Sequence, residues 1–364
     1  MTGNDRKQSD TMRVLVINPG AASTKFGVFD GDVMLVNYKV EHAAEDMAPF
    51  NRVFDQYQYR LDLIINTLEA VGIQLKTFHA IAGRGGLLKP LAGGTYEVNE
   101  LMVEDLKKAE RGEHASNLGA VMSAHLAKEL GIPAFIVDPV SVDEMEAVAR
   151  LSGLPDIPRI SMSHALNMKA VARKVARDIE RKYEDVNLIV AHLGSGVSVA
   201  PHYRGKMIDV NNAKEEGPFS PDRCGGLPAG LLVKLCFSGT YTQKELEDKM
   251  ISTGGLYAYL GTKDVRETEK LAARGDQQAE VVLQAMAYQV AKEIGAMATV
   301  LSGVVDRIIL TGGIAYSVKI VKAITDRVEY IAPVVVVPGE KELESLAMGA
   351  MRVLSGEERA HVYT

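Results

Sequence analysis

The sequence contains no tryptophan and only two cysteines among its 364 residues. Cys224 and Cys236 cannot form a disulfide framework or a zinc-ligand set, so we expect two reduced thiols, as is usual in the cytoplasm. No apolar run reaches the roughly 18 residues that cross a bilayer. The first ten residues are polar and lack the apolar core of a signal peptide, and they read as a frayed tail. The sequence therefore predicts a cytoplasmic protein without a membrane partner.

The sequence also lacks an excess of positive charge. The net charge is −6, the isoelectric point is about 5.8, and no long run of Lys and Arg occurs. Nucleic acid is therefore not an expected partner, although a local basic pocket for a phosphate group is compatible with this composition. The chain is long for a single hydrophobic core, so two domains are expected.

Two familiar phosphate-binding motifs are absent. The sequence has no G-x-x-x-x-G-K-[ST], which excludes a Walker-type loop. The run GSGVSV at 194–199 lacks the third glycine of a dinucleotide fingerprint, and a strand pattern follows it instead of a helix.

Short β-branched runs alternate with longer helical patterns, which indicates an α/β fold. Strands are predicted at 13–18, 26–29, 134–138, 188–192, 308–311 and 334–337. A helix at 118–130 should end at Gly131, and further helices are predicted at 164–183, 288–301 and 342–354.

An internal repeat is visible in the order of these elements. Residues 13–29 run strand, glycine turn, strand, and residues 188–200 repeat that plan; a third strand meets a glycine turn at 307–317. The repeat predicts two related domains with mixed sheets flanked by helices, each presenting a turn to a shared cleft. We place the first domain at 1–155 plus 345–364 and the second at 156–344.

These glycine turns suit phosphate groups. Glycine lets the backbone N–H groups approach an anion closely, and hydroxyl side chains add donors without bulk. The third turn offers a flat backbone surface for a nucleotide. The residues concerned are Gly20, Ser23 and Thr24 in the first turn, Gly194, Ser195, Gly196 and Ser198 in the second, and Gly312 and Gly313 in the third. Two such hairpins and a shelf resemble the sugar kinase, actin and heat-shock chaperone superfamily, whose two related domains close on ATP.

Several charged or polar residues lie at predicted strand ends or in loops, where functional residues are common. Taken one at a time, each also has a structural explanation, such as a surface ion pair, a helix cap or a core histidine. The residues are Asn18, Arg84, His114, Asp138, His164, His192, Arg223 and Glu342.

From residue 12 to about 354, the sequence resembles the acetate and butyrate kinases. The resemblance rests on the motifs VLVINPG, GRGGLLKPLAGGTYEVNE, GEHASNLG, IPAFIVDPV, VNNAKEEGPFSPDRCGGLPAG and ILTGGIAYS. Residues 83–100 and the run GEHASNLG are similar to the butyrate kinase branch, and homologous branched-chain fatty acid kinases share them.

This resemblance implies a fold of the acetate kinase type and a role for each residue. It implies Mg²⁺ and ATP or ADP as cofactors, a small carboxylic acid as substrate, and a homodimer or larger homo-oligomer. Near Mg²⁺ it implies Asn18, Asp138 and Glu342, although Glu340 and Glu344 are close enough for the register to shift. Around the carboxylate and the transferred phosphoryl group it implies Arg84, His114, His164 and Arg223. At the ATP phosphates it implies His192, Gly194 and Gly196, with Gly312 and Gly313 beside adenosine.

Four residues, at three places in the sequence, depart from the family pattern. Ala21 and Ala22 occupy the first turn where serine is usual, so the phosphate contacts expected there are weakened. Ser195 replaces the common Gly or Asn, and Cys224 replaces Ser beside Arg223. Two alternatives remain open at this point: a sugar kinase with Asp138 as its base, and a chaperone or filament protein that uses ATP as a switch.

Overall fold

The computed structural model describes residues 12–364. The first eleven residues, which include the predicted N-terminal tail, lie outside the described residues. The chain divides into two compact units. Unit 1 contains the described residues up to Ser141 together with Lys341–Thr364, and unit 2 is Val142–Glu340. The boundaries predicted from the sequence, after residues 155 and 344, lie further along the chain than the boundaries of these compact units, after residues 141 and 340.

Strands and helices are numbered in chain order. The strands are β1 Arg13–Pro19, β2 Ser23–Asp30, β3 Val33–Glu41, β4 Ala80–Gly83, β5 Thr95–Glu97, β6 Ala134–Val137, β7 Asn187–Leu193, β8 Val197–Tyr203, β9 Lys206–Met207, β10 Arg307–Gly312, β11 Val334–Pro338 and β12 His361–Val362. The helices are α1 Ala44–Met47, α2 Tyr57–Ala70, α3 Glu100–Lys108, α4 Asn117–Leu130, α5 Ala165–Asp178, α6 Ala229–Cys236, α7 Gln243–Ile251, α8 Gly255–Leu260, α9 Val265–Ala273, α10 Gln277–Val300, α11 Val318–Val328 and α12 Glu342–Leu354.

Unit 1 is built on a mixed sheet with the strand order β12-β5-β6-β4-β1-β2-β3. Strands β1, β4 and β6 are parallel neighbours, while β1, β2 and β3 form an antiparallel meander. Leu15 and Ile17 of β1 pack in one buried cluster with residues of α2 and α4. Successive side chains of a strand alternate between its faces, so the buried Val14 and Val16 face the other side of the sheet. Helix α12 contacts β1, β4 and β6 as well.

Unit 2 is built on a mixed sheet with the order β11-β10-β7-β8-β9. Strands β7, β10 and β11 are parallel, and β7, β8 and β9 form an antiparallel meander. The central strands β7 and β10 read as nearly continuous apolar runs because they are buried on both faces. Their side chains pack in one core with residues of α10 and α11.

The internal repeat predicted from the sequence is present in the topology. In unit 1 the order β3-β2-β1-β4-β6 places an antiparallel meander beside two parallel strands, and in unit 2 the order β9-β8-β7-β10-β11 does the same. The predicted α/β fold, with two related units of mixed sheet flanked by helices, is confirmed.

The predicted helices agree with the structure to different degrees. Helix α12 has the predicted bounds, and α4 ends at Gly131, which adopts a left-handed φ of 67°. The helix predicted at 164–183 was too long, because α5 ends at Asp178. Glu180 has a φ of 57°, a left-handed value that is incompatible with a right-handed helix. The helix predicted at 288–301 was too short, because α10 begins at Gln277 after an Asp276 cap whose side chain accepts from the Ala279 N–H at 3.0 Å.

Within residues 12–364, no helix is long and apolar enough to span a membrane.

Candidate active site

Three predicted site residues of unit 1 lie at or directly after the carboxyl ends of neighbouring parallel strands. Asn18 lies near the end of β1, Arg84 directly follows β4, and Asp138 directly follows β6. The Arg84 N–H donates to the Ile17 carbonyl at 2.9 Å, which ties the end of β4 to the end of β1. Ligands of α/β proteins usually bind at the carboxyl ends of the parallel strands, which is where these three residues lie.

Glu342 joins two of these residues. It is the first residue of α12, and its Oε2 accepts a hydrogen bond from Asn18 Nδ2 at 2.6 Å. Its Oε1 forms an ion pair with Nη1 of Arg84. The sequence left Glu340, Glu342 and Glu344 open, and Glu342 is the one that contacts Asn18 and Arg84.

Asp138 is held in an unusual backbone conformation. Its φ is 37°, a left-handed value that is uncommon for a residue other than glycine, and it is only 1% exposed. Its Oδ1 accepts from the Gly94 N–H at 2.7 Å, and its own N–H donates to the Gly94 carbonyl at 3.0 Å. These two bonds fix the strained residue, and such strain is common at functional sites.

The motif GEHASNLG provides the glycine that lets α4 pack against the end of β4. A Cβ on Gly119 would lie 2.3 Å from the Arg84 carbonyl oxygen, and a Cβ on Gly83 would lie 2.2 Å from the Gly119 oxygen. Larger residues would therefore displace the backbone that carries Arg84. His114 lies in the exposed loop before α4, where its Nδ1 is 2.7 Å from Ser116 Oγ.

The first glycine turn contains two exposed alanines, Ala21 and Ala22, between β1 and β2. The turn is closed by a hydrogen bond from the Gly20 N–H to the Ser23 carbonyl at 2.7 Å. Thr24 is buried, and its Oγ1 is 2.8 Å from His42 Nε2, so its hydroxyl belongs to an internal network.

Sequence reasoning did not find two residues behind this turn, Arg60 and His42. Arg60 is only 1% exposed, and its Nη1 donates to the Gly20 carbonyl at 2.8 Å and to Thr24 Oγ1 at 3.2 Å. Burial, assisted by the nearby Arg60 charge, lowers the pKa of His42 to about 4, so its ring is neutral at pH 7. The sequence around Arg60 is an ordinary helical pattern and offers no signal for this contact.

In unit 2, two predicted histidines stack on each other. The rings of His164 and His192 have centroids 3.9 Å apart and planes inclined by 11°. His164 Nδ1 lies 2.9 Å from Ser198 Oγ. His192 is fully buried, and its Nε2 lies 3.1 Å from Oε1 of Glu340.

Asn167 orients His192 and was also missed from the sequence. Its Oδ1 lies 2.8 Å from His192 Nδ1 and accepts from Thr311 Oγ1 at 3.3 Å. An amide oxygen can only accept, so this contact assigns the proton to Nδ1 of His192. Asn167 stands three residues after His164 on α5, and this helical spacing was the signal that could have suggested it.

Arg223 packs against the second glycine turn. A Cβ on Gly196 would lie 2.4 Å from Arg223 Nη1, which shows that this glycine leaves room for the guanidinium. Arg223 Nη1 also donates to the Ala213 carbonyl at 3.2 Å. The hydroxyl of Ser220 donates to the Ser195 carbonyl, so the loop that carries Arg223 is fastened to the turn.

A cleft of about 810 Å³ in unit 2 opens beside Gly194, Ser195 and Gly313. A Cβ on Gly313 would meet no atom within 4 Å, whereas one on Gly312 would lie 2.4 Å from the Leu193 carbonyl oxygen. Gly313 therefore lies open at the cleft, while Gly312, with a φ of 87°, is required by the packing. The volume falls in the usual range for small-molecule and cofactor sites, about 300–1,000 Å³.

The cleft is also lined by charged and polar residues that the sequence analysis did not select. The charged ones are Asp222, Lys263, Asp264, Arg266 and Glu269, and the neutral ones include Tyr316 and Ser317. Arg266 pairs with Asp264 at 2.6 Å, and hydrogen bonds from Arg266 lower the pKa of Asp264 to about 2. The cleft therefore carries charges of both signs on exposed side chains, beside the turn predicted to bind phosphates.

Comparison with known proteins agrees with this arrangement. The model of the acetokinase family matches residues 159–355, which is more than half of the chain. The acetate kinase of Porphyromonas gingivalis superposes with a TM-score of 0.79 at 18% identity, over 94% of this chain and all of that one.

Two further crystal structures are similar. The acetate kinase of Entamoeba histolytica gives a TM-score of 0.74 at 18% identity over 93% of this chain and 99% of that chain. A propionate kinase of Francisella tularensis gives 0.71 at 18% identity over 93% and 98%. The superpositions show that these proteins share a fold with this chain, and the match to the family model shows that the chain is a member of the family. The chain belongs to the acetokinase family, a family of ATP-dependent kinases that phosphorylate carboxylates.

Proposed function

We propose that this protein transfers the γ-phosphoryl group of ATP to a short-chain carboxylate, with butyrate favoured, and that it runs the reverse reaction from butyryl phosphate and ADP. The observation that carries the proposal is the contact between Arg223 and Gly196, which sets a fixed positive charge against the glycine turn. Butyrate is favoured because residues 83–100 and the run GEHASNLG resemble the butyrate kinase branch.

The proposed chemistry needs positive charge and no general base. A carboxylate is already ionised at pH 7, so it can attack phosphorus without losing a proton. Its negative charge must nevertheless approach the polyphosphate in line, and only positioning and preorganised cations relieve that repulsion. In our proposal Arg84 and His114 bind the carboxylate, Arg223 spans carboxylate and phosphoryl group, and His164 stabilises the phosphoryl oxygens.

ATP is proposed to lie in the cleft of unit 2. The backbone of Gly194, Ser195 and Gly196 would receive its phosphates, and the open surface at Gly313 would receive adenosine. His192 is held by Asn167 and stacked on His164, so its ring is fixed before any ligand arrives. The turn in unit 1 at Gly20, with Ser23, is proposed to contact a phosphate as well.

The donor set in unit 1 fits Mg²⁺. Asn18, Asp138 and Glu342 offer amide and carboxylate oxygens, which are the hard donors that Mg²⁺ prefers. Among residues 12–364, no group of three or more His, Cys, Asp or Glu forms a ready metal cage. That suits an ion held by one or two carboxylates, water and substrate phosphates. Bound there, Mg²⁺ would neutralise charge on the phosphate oxygens.

Other acceptors fit the same residues. Acetate, propionate, isobutyrate and isovalerate could also be accepted by these residues. One methylene in an apolar pocket changes the binding free energy by only about 1–3 kcal/mol, so activity on several of these acids is expected. A sugar kinase would use Asp138 as a base, and a non-enzymatic ATP switch would transfer no phosphoryl group to an acid. The family match to carboxylate kinases favours phosphorylation of an acid over the sugar kinase and over the non-enzymatic ATP switch.

A homodimer or larger homo-oligomer is part of the proposal. Helix α6 is apolar on most of its surface and yet exposed: Leu231 and Val233 of the helix, and Phe237 directly after it, are open to solvent. A second copy of the chain would cover such a surface. Leu231→Glu should therefore lower the molar mass measured by analytical ultracentrifugation, and an unchanged mass would remove α6 from the interface.

Hydroxylamine trapping tests the function. The protein is incubated with Mg-ATP and a series of acids from acetate to valerate, with isobutyrate included, and acyl hydroxamate is measured. We expect the highest kcat/KM with butyrate. A maximum at acetate or propionate would change the substrate but retain the reaction class, and no hydroxamate with any acid would refute the proposed function.

A further inference from the structure

Arg60 carries a buried positive charge, and the hydrogen bonds that it donates within residues 12–364 go to neutral acceptors. Besides its bonds to Gly20 and Thr24, its Nη2 donates to the Ala21 carbonyl at 3.1 Å and to Oε1 of Gln56 at 2.8 Å. All of these acceptors are neutral. Among residues 12–364 Arg60 forms no ion pair within 4 Å; the carboxylates of Glu41 and Asp46 act on the neighbouring His42 instead.

An uncompensated buried charge is unfavourable. Moving an ion out of water costs several kcal/mol even after the surrounding protein relaxes. Burial accordingly lowers the pKa of Arg60, although the group remains protonated because its ordinary pKa is so high. His42, which shares Thr24 with Arg60, is neutral at pH 7 and provides no countercharge.

The charge lies directly behind the first glycine turn. Arg60 draws the carbonyls of Gly20 and Ala21 towards the interior, and the outer part of the turn is formed by Ala21 and Ala22, which are exposed. Neither alanine has a hydroxyl group to offer a phosphate. With Ser23 as the remaining partly exposed hydroxyl of the turn, a phosphate there would depend largely on backbone N–H groups and on a positive charge held nearby.

We propose that Arg60 is a positioning residue for phosphate binding: it fixes the turn at Gly20–Ser23 and directs its uncompensated charge at a terminal phosphate of ATP on the outer side. This rests on the proposed function, in which that turn receives a phosphate. The missing serine hydroxyls of the turn are then replaced by one buried guanidinium, and the bound anion supplies the countercharge that the folded chain lacks.

The variant Gln56→Glu gives the sharpest test, because it neutralises Arg60 without removing it. Gln56 Oε1 already accepts from Arg60 at 2.8 Å, so the nearly isosteric glutamate should form an ion pair there. Gln58→Glu is the matched control, since it makes the same change at an exposed position of α2 that contacts Asp62. Binding of ATP and of AMP to the whole chain is measured by calorimetry, together with the thermal midpoint.

We expect Gln56→Glu to melt at the same temperature or higher and to bind ATP roughly tenfold more weakly, with AMP binding unchanged. Gln58→Glu should bind ATP like the wild type. If Gln56→Glu is stabilised but binds ATP normally, Arg60 has a structural role only and the inference is wrong. Equal weakening of ATP and AMP would also overturn it.

A second variant separates charge from geometry. Arg60→Lys keeps the charge but not the fork of donors, so ATP should bind within about threefold of wild type if the charge carries the effect. A loss as large as that of Arg60→Gln, in folded protein, would contradict the inference. ATP binding is independent of acyl transfer: wild type that binds ATP but forms no hydroxamate refutes the proposed reaction and leaves the binding comparison intact, whereas failure to bind ATP refutes both.

Discussion

Substituting alanine for Gly196 tests whether this glycine exists to make room for Arg223. The added Cβ would lie 2.4 Å from Nη1 and 2.9 Å from Cζ of that guanidinium. Both distances are below 3.0 Å, closer than a Cβ atom approaches a non-bonded atom in protein structures. Gly196 does not have a positive φ, so its backbone accepts alanine. The side chain of Arg223 is partly exposed and can swing away, whereas the sheet behind the turn cannot.

The expected effect is therefore on catalysis and not on folding. When Arg223 moves, its bond to the Ala213 carbonyl is lost and its charge leaves the position beside the turn. Loss of one preorganised donor typically costs about 3–4 kcal/mol, or about 10²–10³ in kcat. We expect Gly196→Ala to lose about that much, and Arg223→Ala to lose at least as much while staying folded.

Hydroxamate formation at saturating ATP and acid measures kcat, and circular dichroism on heating measures stability. Gly295→Ala is the matched control: it lies within α10, its added Cβ meets no atom within 4 Å, and alanine should stabilise the helix by about 0.5–1 kcal/mol with normal activity. The double variant Gly196→Ala/Arg223→Ala should be no slower than Arg223→Ala alone, because both changes remove one interaction. Near-normal kcat in Gly196→Ala, or additive losses in the double variant, would refute the reasoning.

Three further predictions concern other groups. Arg84→Ala should lower kcat by about 10² or more while the protein stays folded, and near-normal turnover would exclude Arg84 from the mechanism. Burial raises the pKa of the Cys224 thiol, so we expect an alkylating reagent to inactivate the enzyme slowly at pH 7, faster at pH 9, and more slowly with ATP present; absence of protection by ATP would separate this thiol from the nucleotide site. The folded pKa values of His42 and His202 lie below the ordinary 6.5, chiefly through burial, so the unfolded chain binds more protons and stability should fall as the pH drops below about 6.5. Urea unfolding at pH 7 and pH 5 measures this, and a flat profile would contradict it; His202→Gln should reduce the pH dependence.

The fold was predictable where the sequence carries local signals. Apolar β-branched runs identified the central strands β1, β7 and β10, and Gly131 marked the end of α4. The end of α5 was missed because charged residues continue the helical pattern beyond Asp178, and only the backbone turn at Glu180 stops it. A periodic pattern shows where a helix can form, but not where tertiary contacts end it.

The candidate site was predictable only in part. Motifs identified residues at strand ends, such as Asn18 and Arg84. Because β1 and β4 are parallel neighbours, the ends of these strands lie side by side. Arg60 and Asn167 were missed because each acts through a residue distant in sequence, the first through the Gly20 turn and the second through His192. Their partners lie 40 and 25 positions away, and only Asn167, three residues after His164 on the same helical face, had a local signal.

The path of the chain through the two units sets an order of synthesis. Unit 2 is one continuous segment, Val142–Glu340, but unit 1 needs Lys341–Thr364 to be complete. On the ribosome, unit 2 can therefore fold while the sheet of unit 1 still waits for α12 and β12. The Arg84–Glu342 ion pair spans 258 positions, so it can form only after unit 2 has been synthesised. A chain truncated before Glu342 would therefore lack the carboxylate that Asn18 and Arg84 share.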